Sequence, residues 1–374
     1  MSGAATGGSK GTGGATSGGA ATSTGGVATG GKSATGGDAT GGAATGGAAI
    51  GGAATGGKSA TGGAATAGAA AGGKSATGGA SSTGGCGAIG TWNNPILPGL
   101  YADPSISVFN CKYYIYPTTD GFANWASTQF HAFSSSDLAT WKDEGVILDL
   151  GPDVSWAASR AWAPKLVLKN GTYYFYFSAD LQIGVATSTS PIGPFKDALG
   201  KPLITAGQYG GESIDPYVFT DDDGRSYLFF GSTSAGGHVV ELNADMISLN
   251  GTPQLNAISG YKEASVVFKR NGKYYFMWSE GDTRLTTYNV AYGTASTPMG
   301  PYARAAVNPI LQSDTAQGIW ATGSNDVLQL SNGDFFIVYH RFAIPNGDGM
   351  HREVCLDRLN FNADGTIIPV KPTP

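Results

Sequence analysis

Asn271-Gly272-Lys273-Tyr274-Tyr275 belongs to a pattern that recurs five times in this chain and decides its fold. The other copies are Asn110-Cys111-Lys112-Tyr113-Tyr114, Asn170-Gly171-Thr172-Tyr173-Tyr174, Asp223-Gly224-Arg225-Ser226-Tyr227 and Asn332-Gly333-Asp334-Phe335-Phe336. Each follows an apolar run and opens a second one. Four carry Asn-Gly or Asn/Asp-Gly dipeptides, which accept the positive φ of tight hairpin turns. Further β-type runs follow, such as Gly184 to Ser188 and Val290 to Thr294, and matching Gly-Pro-aromatic turns occur at Gly193-Pro194-Phe195 and Gly300-Pro301-Tyr302. No long segment carries the 3.6-residue period of a helix. Copies start roughly 50 to 60 residues apart, the length of a four-stranded blade with its loops. The expected fold is all-β, a five-bladed β-propeller. A β-sandwich gives no reason for five look-alike hairpins, and a β-helix has a much shorter period.

Outward from the repeats, composition divides the chain. It has 374 residues, net charge −5, only 13% charged residues and 60 glycines. Roughly half of those glycines precede Cys86, among Ala, Thr and Ser, where an average protein has about 7% Gly. Such a stretch cannot bury enough apolar surface to offset its ordering entropy. Residues 1–85 are therefore read as a disordered linker and residues 86–374 as the propeller domain, with no further domain expected after Val370. Inside the linker, Gly26 through Gly31-Lys32-Ser33 fits a phosphate-loop pattern, and GGKSATGG appears three times. A phosphate loop needs a buried strand before it and a helix after it, and Ala-Thr-Gly-Gly flanks supply neither.

The acidic balance excludes a nucleic-acid partner, and no apolar run is long enough for a membrane span. A monomer is expected. The Met1-Ser2-Gly3-Ala4 start shows no export signal. A flexible tract before a folded domain nevertheless suits an extracellular or cell-surface protein. Cys86, Cys111 and Cys355 lack zinc spacing, and their disulfide pairing stays open.

The carboxylates fall in register with the repeat. Before each hairpin turn runs the strand expected to line the channel, opening with Ala102-Asp103-Pro104, Trp162-Ala163-Pro164, Ile214-Asp215-Pro216, Lys262-Glu263-Ala264 and Gly323-Ser324-Asn325. Equivalent positions in a propeller converge at one mouth of the channel. Asp103, Asp215 and Glu263 are thus expected to face one another. A single Asp-Pro commonly just caps a turn, but three gathered acids lose hydration and repel, which points to a functional site. Asp221-Asp222-Asp223-Gly224 lacks the later acidic ligand of a calcium loop and reads as a hairpin turn.

These residues closely resemble glycoside hydrolase family 43, five-bladed propellers acting on arabinose- and xylose-containing polysaccharides. Asn94-Pro95-Ile96-Leu97-Pro98-Gly99-Leu100-Tyr101-Ala102-Asp103-Pro104-Ser105 is similar to the family's opening motif, Ser213-Ile214-Asp215-Pro216 to its second, and Tyr261-Lys262-Glu263-Ala264-Ser265 to the third. Many relatives have Glu-Gly-Pro at the third. The resemblance implies Asp103 as general base, Glu263 as general acid and Asp215 as the residue that tunes the acid. It also implies a plant cell-wall oligo- or polysaccharide partner and a structural calcium or sodium ion in the channel, with His340 as its ligand. No cofactor is needed for the chemistry.

Chemistry alone supports the same roles. Single-displacement inversion needs one ionised carboxylate to activate water and one protonated carboxyl to protonate the leaving oxygen, the two about 6.5–9.5 Å apart. Trp162 beside Arg160 is the first sugar-stacking candidate, followed by Trp125 and Trp320, and Arg341 is expected to contact substrate. An α-L-arabinofuranosidase is favoured, ahead of a β-xylosidase or an endo-arabinanase. A retaining fructose-acting propeller calls for Asn-Asp-Pro-Asn and Arg-Asp-Pro motifs that are absent. A non-catalytic sugar-binding propeller would tolerate the loss of one acid, and all three are present.

Overall fold

A computed structural model describes residues 88–374; the linker expected over residues 1–85 lies outside them. The described residues form five antiparallel sheets. Blade one comprises β1 (Tyr101–Phe109), β2 (Lys112–Thr119), β3 (Gln129–Ser135) and β4 (Lys142–Asp149), paired in that order. Blade two holds β5 (Trp162–Lys169), β6 (Thr172–Ala179), β7 (Gln182–Ser188) and β8 (Lys196–Asp197). Blade three holds β9 (Tyr217–Thr220), β10 (Ser226–Phe230), β11 (Gly236–Leu242) and β12 (Leu249–Ala257). Blade four holds β13 (Glu263–Arg270), β14 (Lys273–Glu280), β15 (Asn289–Ala295) and β16 (Ala303–Arg304). Blade five has three strands, β17 (Gly323–Gln329), β18 (Phe335–Phe342) and β19 (Arg352–Arg358).

The first strands β1, β5, β9, β13 and β17 touch their neighbours around the axis, as a five-bladed propeller requires. Three of the five hairpins have two-residue loops with both residues at positive φ: Asn110-Cys111, Asn170-Gly171 and Asn271-Gly272. The Asp223-Gly224 and Asn332-Gly333 turns are longer, because the strands before them end earlier. The paired aromatics alternate across each second strand and supply the cores between blades. Phe130, Phe175 and Phe177 pack between blades one and two, for example, and Phe229, Phe276 and Trp278 between three and four. At about 25 cal/mol per Å² of apolar surface, these seams are the main source of stability.

Blade five is completed by the chain's own approach to β1. Ile96 N–H donates to Val354 O at 2.9 Å, Leu356 N–H donates to Asn94 Oδ1 at 2.8 Å, and Trp92 Nε1 donates to Leu356 O at 2.7 Å. This stretch covers the edge of β19 and ties the first blade to the last, so the ring has no exposed seam. The described chain begins on the face opposite the starts of the inner strands. Gly90 N–H donates to Asp137 O, in the turn between β3 and β4, and the disulfide-bonded Cys111 lies in the β1–β2 turn on that same face. Cys355 is a buried free thiol.

Below the mouth the axis is pinned by a buried ion pair. Lys165 Nζ of blade two lies 2.5 Å from Asp326 Oδ2 of blade five. Asp326 also accepts the Ile106 and Val327 amides, and the Lys165 ammonium stands 4.3 Å from the centre of the Tyr217 ring. What remains of the channel here is a void of about 30 Å³, roughly one water in size.

Candidate active site

All five inner strands begin with the same backbone event. The residue at Asp103, Ala163, Asp215, Ala264 or Ser324 takes a positive φ, between 40° and 59°. In four blades the pairing register shifts just after it. A left-handed residue costs of order 1 kcal/mol in a non-glycine chain, and here it re-aims the strand so that the mouth can be lined. The turned amides are satisfied by the preceding blade. Ala163 N–H donates to Thr118 Oγ1, Asp215 N–H to Ser178 Oγ, Ser324 N–H to Ser279 Oγ and Asp103 N–H to His340 Nδ1. In blade three the corresponding position is Gly231, which has no side chain to offer. Ala264 N–H donates instead to Asp215 Oδ2, at 3.1 Å.

Asp103 and Asp215 therefore occupy equivalent positions, but Glu263 does not. It stands one residue earlier, where the other blades carry Ala102, Trp162, Ile214 and Gly323. Its longer side chain still brings the carboxyl to the mouth. The three acids line one cavity of about 540 Å³ together with Trp125, Trp162 and Arg352. That volume lies within the usual range for small-molecule sites.

The environments of the acids differ. Burial alone would raise the Asp103 pKa, but the charge of Arg352, with the Thr118 hydrogen bond, outweighs it and holds it well below the usual value. Arg352 Nη1 lies 3.3 Å from Asp103 Oδ1, and its Nε 2.8 Å from Asp120 Oδ2. Glu263 is pushed up, chiefly by burial and further by Asp103, against the lowering influence of Lys262, Tyr288 and Arg352. Asp215 is also pushed up by burial, then by Glu263 and Asp103. Glu263 and Asp215 thus resist joint ionisation and titrate as a pair that keeps one proton where a lone carboxyl would be bare. Tyr288 O–H donates to Glu263 Oε1 at 3.0 Å, and its ring stacks on His340 at 5.7 Å. The arrangement sets one ionised carboxylate beside one retained proton.

Trp125 and Trp162 both line the cavity, edge to face at 6.5 Å, with the Arg160 guanidinium 5.8 Å from the Trp162 ring. Trp162 Nε1 donates to Trp125 O, and Trp125 Nε1 to Gly349 O. Two other expectations are corrected. Trp320 packs against the group of Tyr288, Ala321 and Phe342, behind the wall. Arg341 is buried and bonds Glu353 and Thr373 O, because alternation along β18 turns it to the face opposite His340.

The ion expected at His340 calls for that one side chain and waters. His340 Nδ1 is taken by Asp103, at 3.2 Å from both its amide nitrogen and its Oδ1, while Nε2 lies 3.5 Å from Thr283 Oγ1. The cationic Arg352 lies against the same Asp103 and Thr283. No three His, Cys, Asp or Glu side chains gather to hold an ion among the described residues. His340 Nε2, with Thr283 Oγ1 as its neighbour, is the ring nitrogen that would face an ion held by one His and waters. Arg352, Tyr288 and Lys262 are the site residues that the repeat pattern did not reveal.

Comparison with known proteins agrees with this geometry. A family model, "Glycosyl hydrolases family 43", matches residues 92–367. The beta-D-galactofuranosidase xynD of Aspergillus niger is 42% identical over 295 residues, which span 75% of this chain and 85% of that protein. A xylosidase/arabinosidase of Bacteroides ovatus is 29% identical, over 74% of this chain and 97% of its own. The crystal structure of a thermostable family-43 glycoside hydrolase superposes with a TM-score of 0.67 at 30% identity, covering 76% of this chain and 97% of that one.

Proposed function

The chain belongs to glycosyl hydrolases family 43 and is therefore an O-glycosyl hydrolase, and from that premise we propose that it removes terminal furanosyl units, α-L-arabinofuranose foremost, by single-displacement inversion. The observation that carries the mechanism is that Asp103, against the Arg352 guanidinium, and Glu263, under the Tyr288 hydroxyl, line one cavity with Asp215. Asp103, its charge held by Arg352, takes a proton from water as the water attacks the anomeric carbon. Glu263 gives its proton to the departing glycosidic oxygen. Asp215 and Glu263 resist joint ionisation, which keeps a proton in the pair for Glu263 to deliver, and Asp215 is fixed by the Ala264 amide. Trp162 and Trp125 offer faces for the sugar ring.

The loop between β18 and β19 is tied to the Trp125 segment beside the cavity, through Gly121 N–H to Met350 O and Trp125 Nε1 to Gly349 O, which favours action at a chain end. The furanose preference has one support. A relative bears the name of a galactofuranosidase, and β-D-galactofuranose shares the ring configuration of α-L-arabinofuranose, with an added hydroxymethyl carbon. The natural substrate would be a plant cell-wall polysaccharide, met outside the cell, where the Cys111 disulfide is stable. The test is turnover of 4-nitrophenyl α-L-arabinofuranoside, β-D-galactofuranoside and β-D-xyloside. The furanosides should react faster, and NMR of the first product should show an inverted anomeric centre. A faster xyloside would favour the β-xylosidase reading. Release of internal fragments from linear arabinan would favour the endo-arabinanase one. Glu263→Gln should lower kcat on an oligosaccharide by at least about 10²–10⁴, the usual share of general acid catalysis.

A further inference from the structure

Lys262 places a positive charge on the residue that has to hold a proton. Its backbone amide donates to Ser279 O, and its side chain crosses to blade three, where Nζ donates to Ser232 Oγ at 2.8 Å. Nζ then stands 3.9 Å from Glu263 Oε2, its one carboxylate partner among the described ion pairs. Ser232, having accepted from Lys262, keeps its own hydroxyl proton for Glu263 Oε2, at 3.5 Å. The two carboxyl oxygens are thus treated differently. Oε1 accepts from the Tyr288 hydroxyl, whereas Oε2 faces the ammonium.

We propose that Lys262, anchored by Ser232, is a positioning residue that sets the pH range of the enzyme by opposing the proton on Glu263. The inference rests on the reading of Glu263 as the general acid. When the glycosidic bond breaks, the O–H pair stays on the Glu263 carboxylate as the proton leaves, and the new negative charge meets the ammonium and the Ser232 hydroxyl. Without such a counter-charge the acid would hold its proton too tightly, since Asp215 and Asp103 both face it and burial raises it further. Arg352 is the other cation acting on Glu263, but it is committed to Asp103 and Asp120. Lys262 has Glu263 as its one ion-pair partner among the described residues, and its charge also reaches Asp282 on the cavity wall.

The test compares Lys262→Met, Lys262→Gln and Lys262→Arg with the unmodified protein in kcat/KM against pH, on a 4-nitrophenyl glycoside and on an oligosaccharide. The acid must be protonated to work, so activity falls as pH rises through its pKa. Removing a positive charge raises that pKa. Lys262→Met and Lys262→Gln should move the alkaline limb upward by at least about 0.7 pH unit, the bulk-water value for unit charges 4 Å apart, and by up to about 3 units where water is largely excluded. Lys262→Arg should restore the original limb. Lys262→Gln keeps a bonding group for Ser232 without the charge, so its agreement with Lys262→Met assigns the effect to charge. An alkaline limb that stays in place in both neutral variants, or moves downward, overturns the inference. The reading beneath it fails separately, if Glu263→Gln retains turnover of the oligosaccharide.

Discussion

Arg341 and Arg352 lie close together on β18 and β19 and serve opposite ends. Arg341 is 2% exposed and bonded to Glu353 on the far side of the strand. Arg341→Met should cost about 3–5 kcal/mol by stranding a buried carboxylate, seen as a lower denaturation midpoint, while kcat/KM of the folded protein stays within about two-fold. Arg352→Gln should do the reverse to the chemistry. Asp103 acts ionised, so activity is lost as pH falls through its pKa. That pKa is held down by Arg352, and without the guanidinium it rises, so the acid limb of the rate profile should shift to higher pH. The three acids were legible in the sequence because a strand start is marked by its own turn and spacing. The arginines were not. Which of two neighbours faces the channel depends on strand parity, and Tyr339-His340-Arg341 offers no internal reference for it.

Among elements, the starts of the inner strands decide most. Their shared left-handed residue explains why the spacing of the acids was read one step wrong at Glu263. The repeat aligns turns and aromatics, whereas the bulge between them sets which side chain meets the cavity. Gly323 is the strand start where this is tightest. A methyl group there would fall 2.1 Å from the Tyr288 ring, and Tyr288 is fixed by its stack on His340 and its bond to Glu263. Gly323→Ala should therefore displace the Tyr288 hydroxyl from Glu263. A loss of about 1–3 kcal/mol in stability should accompany a drop in kcat larger than any change in KM. Two of the five hairpin loops also proved longer than their Asn-Gly and Asp-Gly pairs suggested, since those dipeptides fix a turn's handedness and leave the last ladder bond to strand length.

For the molecule as a whole, five copies of one hairpin were enough to give the architecture, because radial closure follows from repetition. The sequence did not disclose how the ring is fastened: blade five borrows the approach through Trp92, Asn94 and Ile96, and the axis is held by Lys165 and Asp326. Lys165→Ala removes one partner of a buried pair, for a loss of about 3–5 kcal/mol. Calorimetry should show the Tm lowered by about 5–10 °C. An unchanged midpoint would mean that the pair contributes nothing net to closure.

Because Gly90 meets the domain at the turn after β3, that turn and the substrate's approach belong to opposite poles. Protein coupled to a solid support through the turn between β3 and β4 would present its pocket outward to a bulky polymer. Coupling through the loop between β18 and β19 would press the same pocket against the support and blind it.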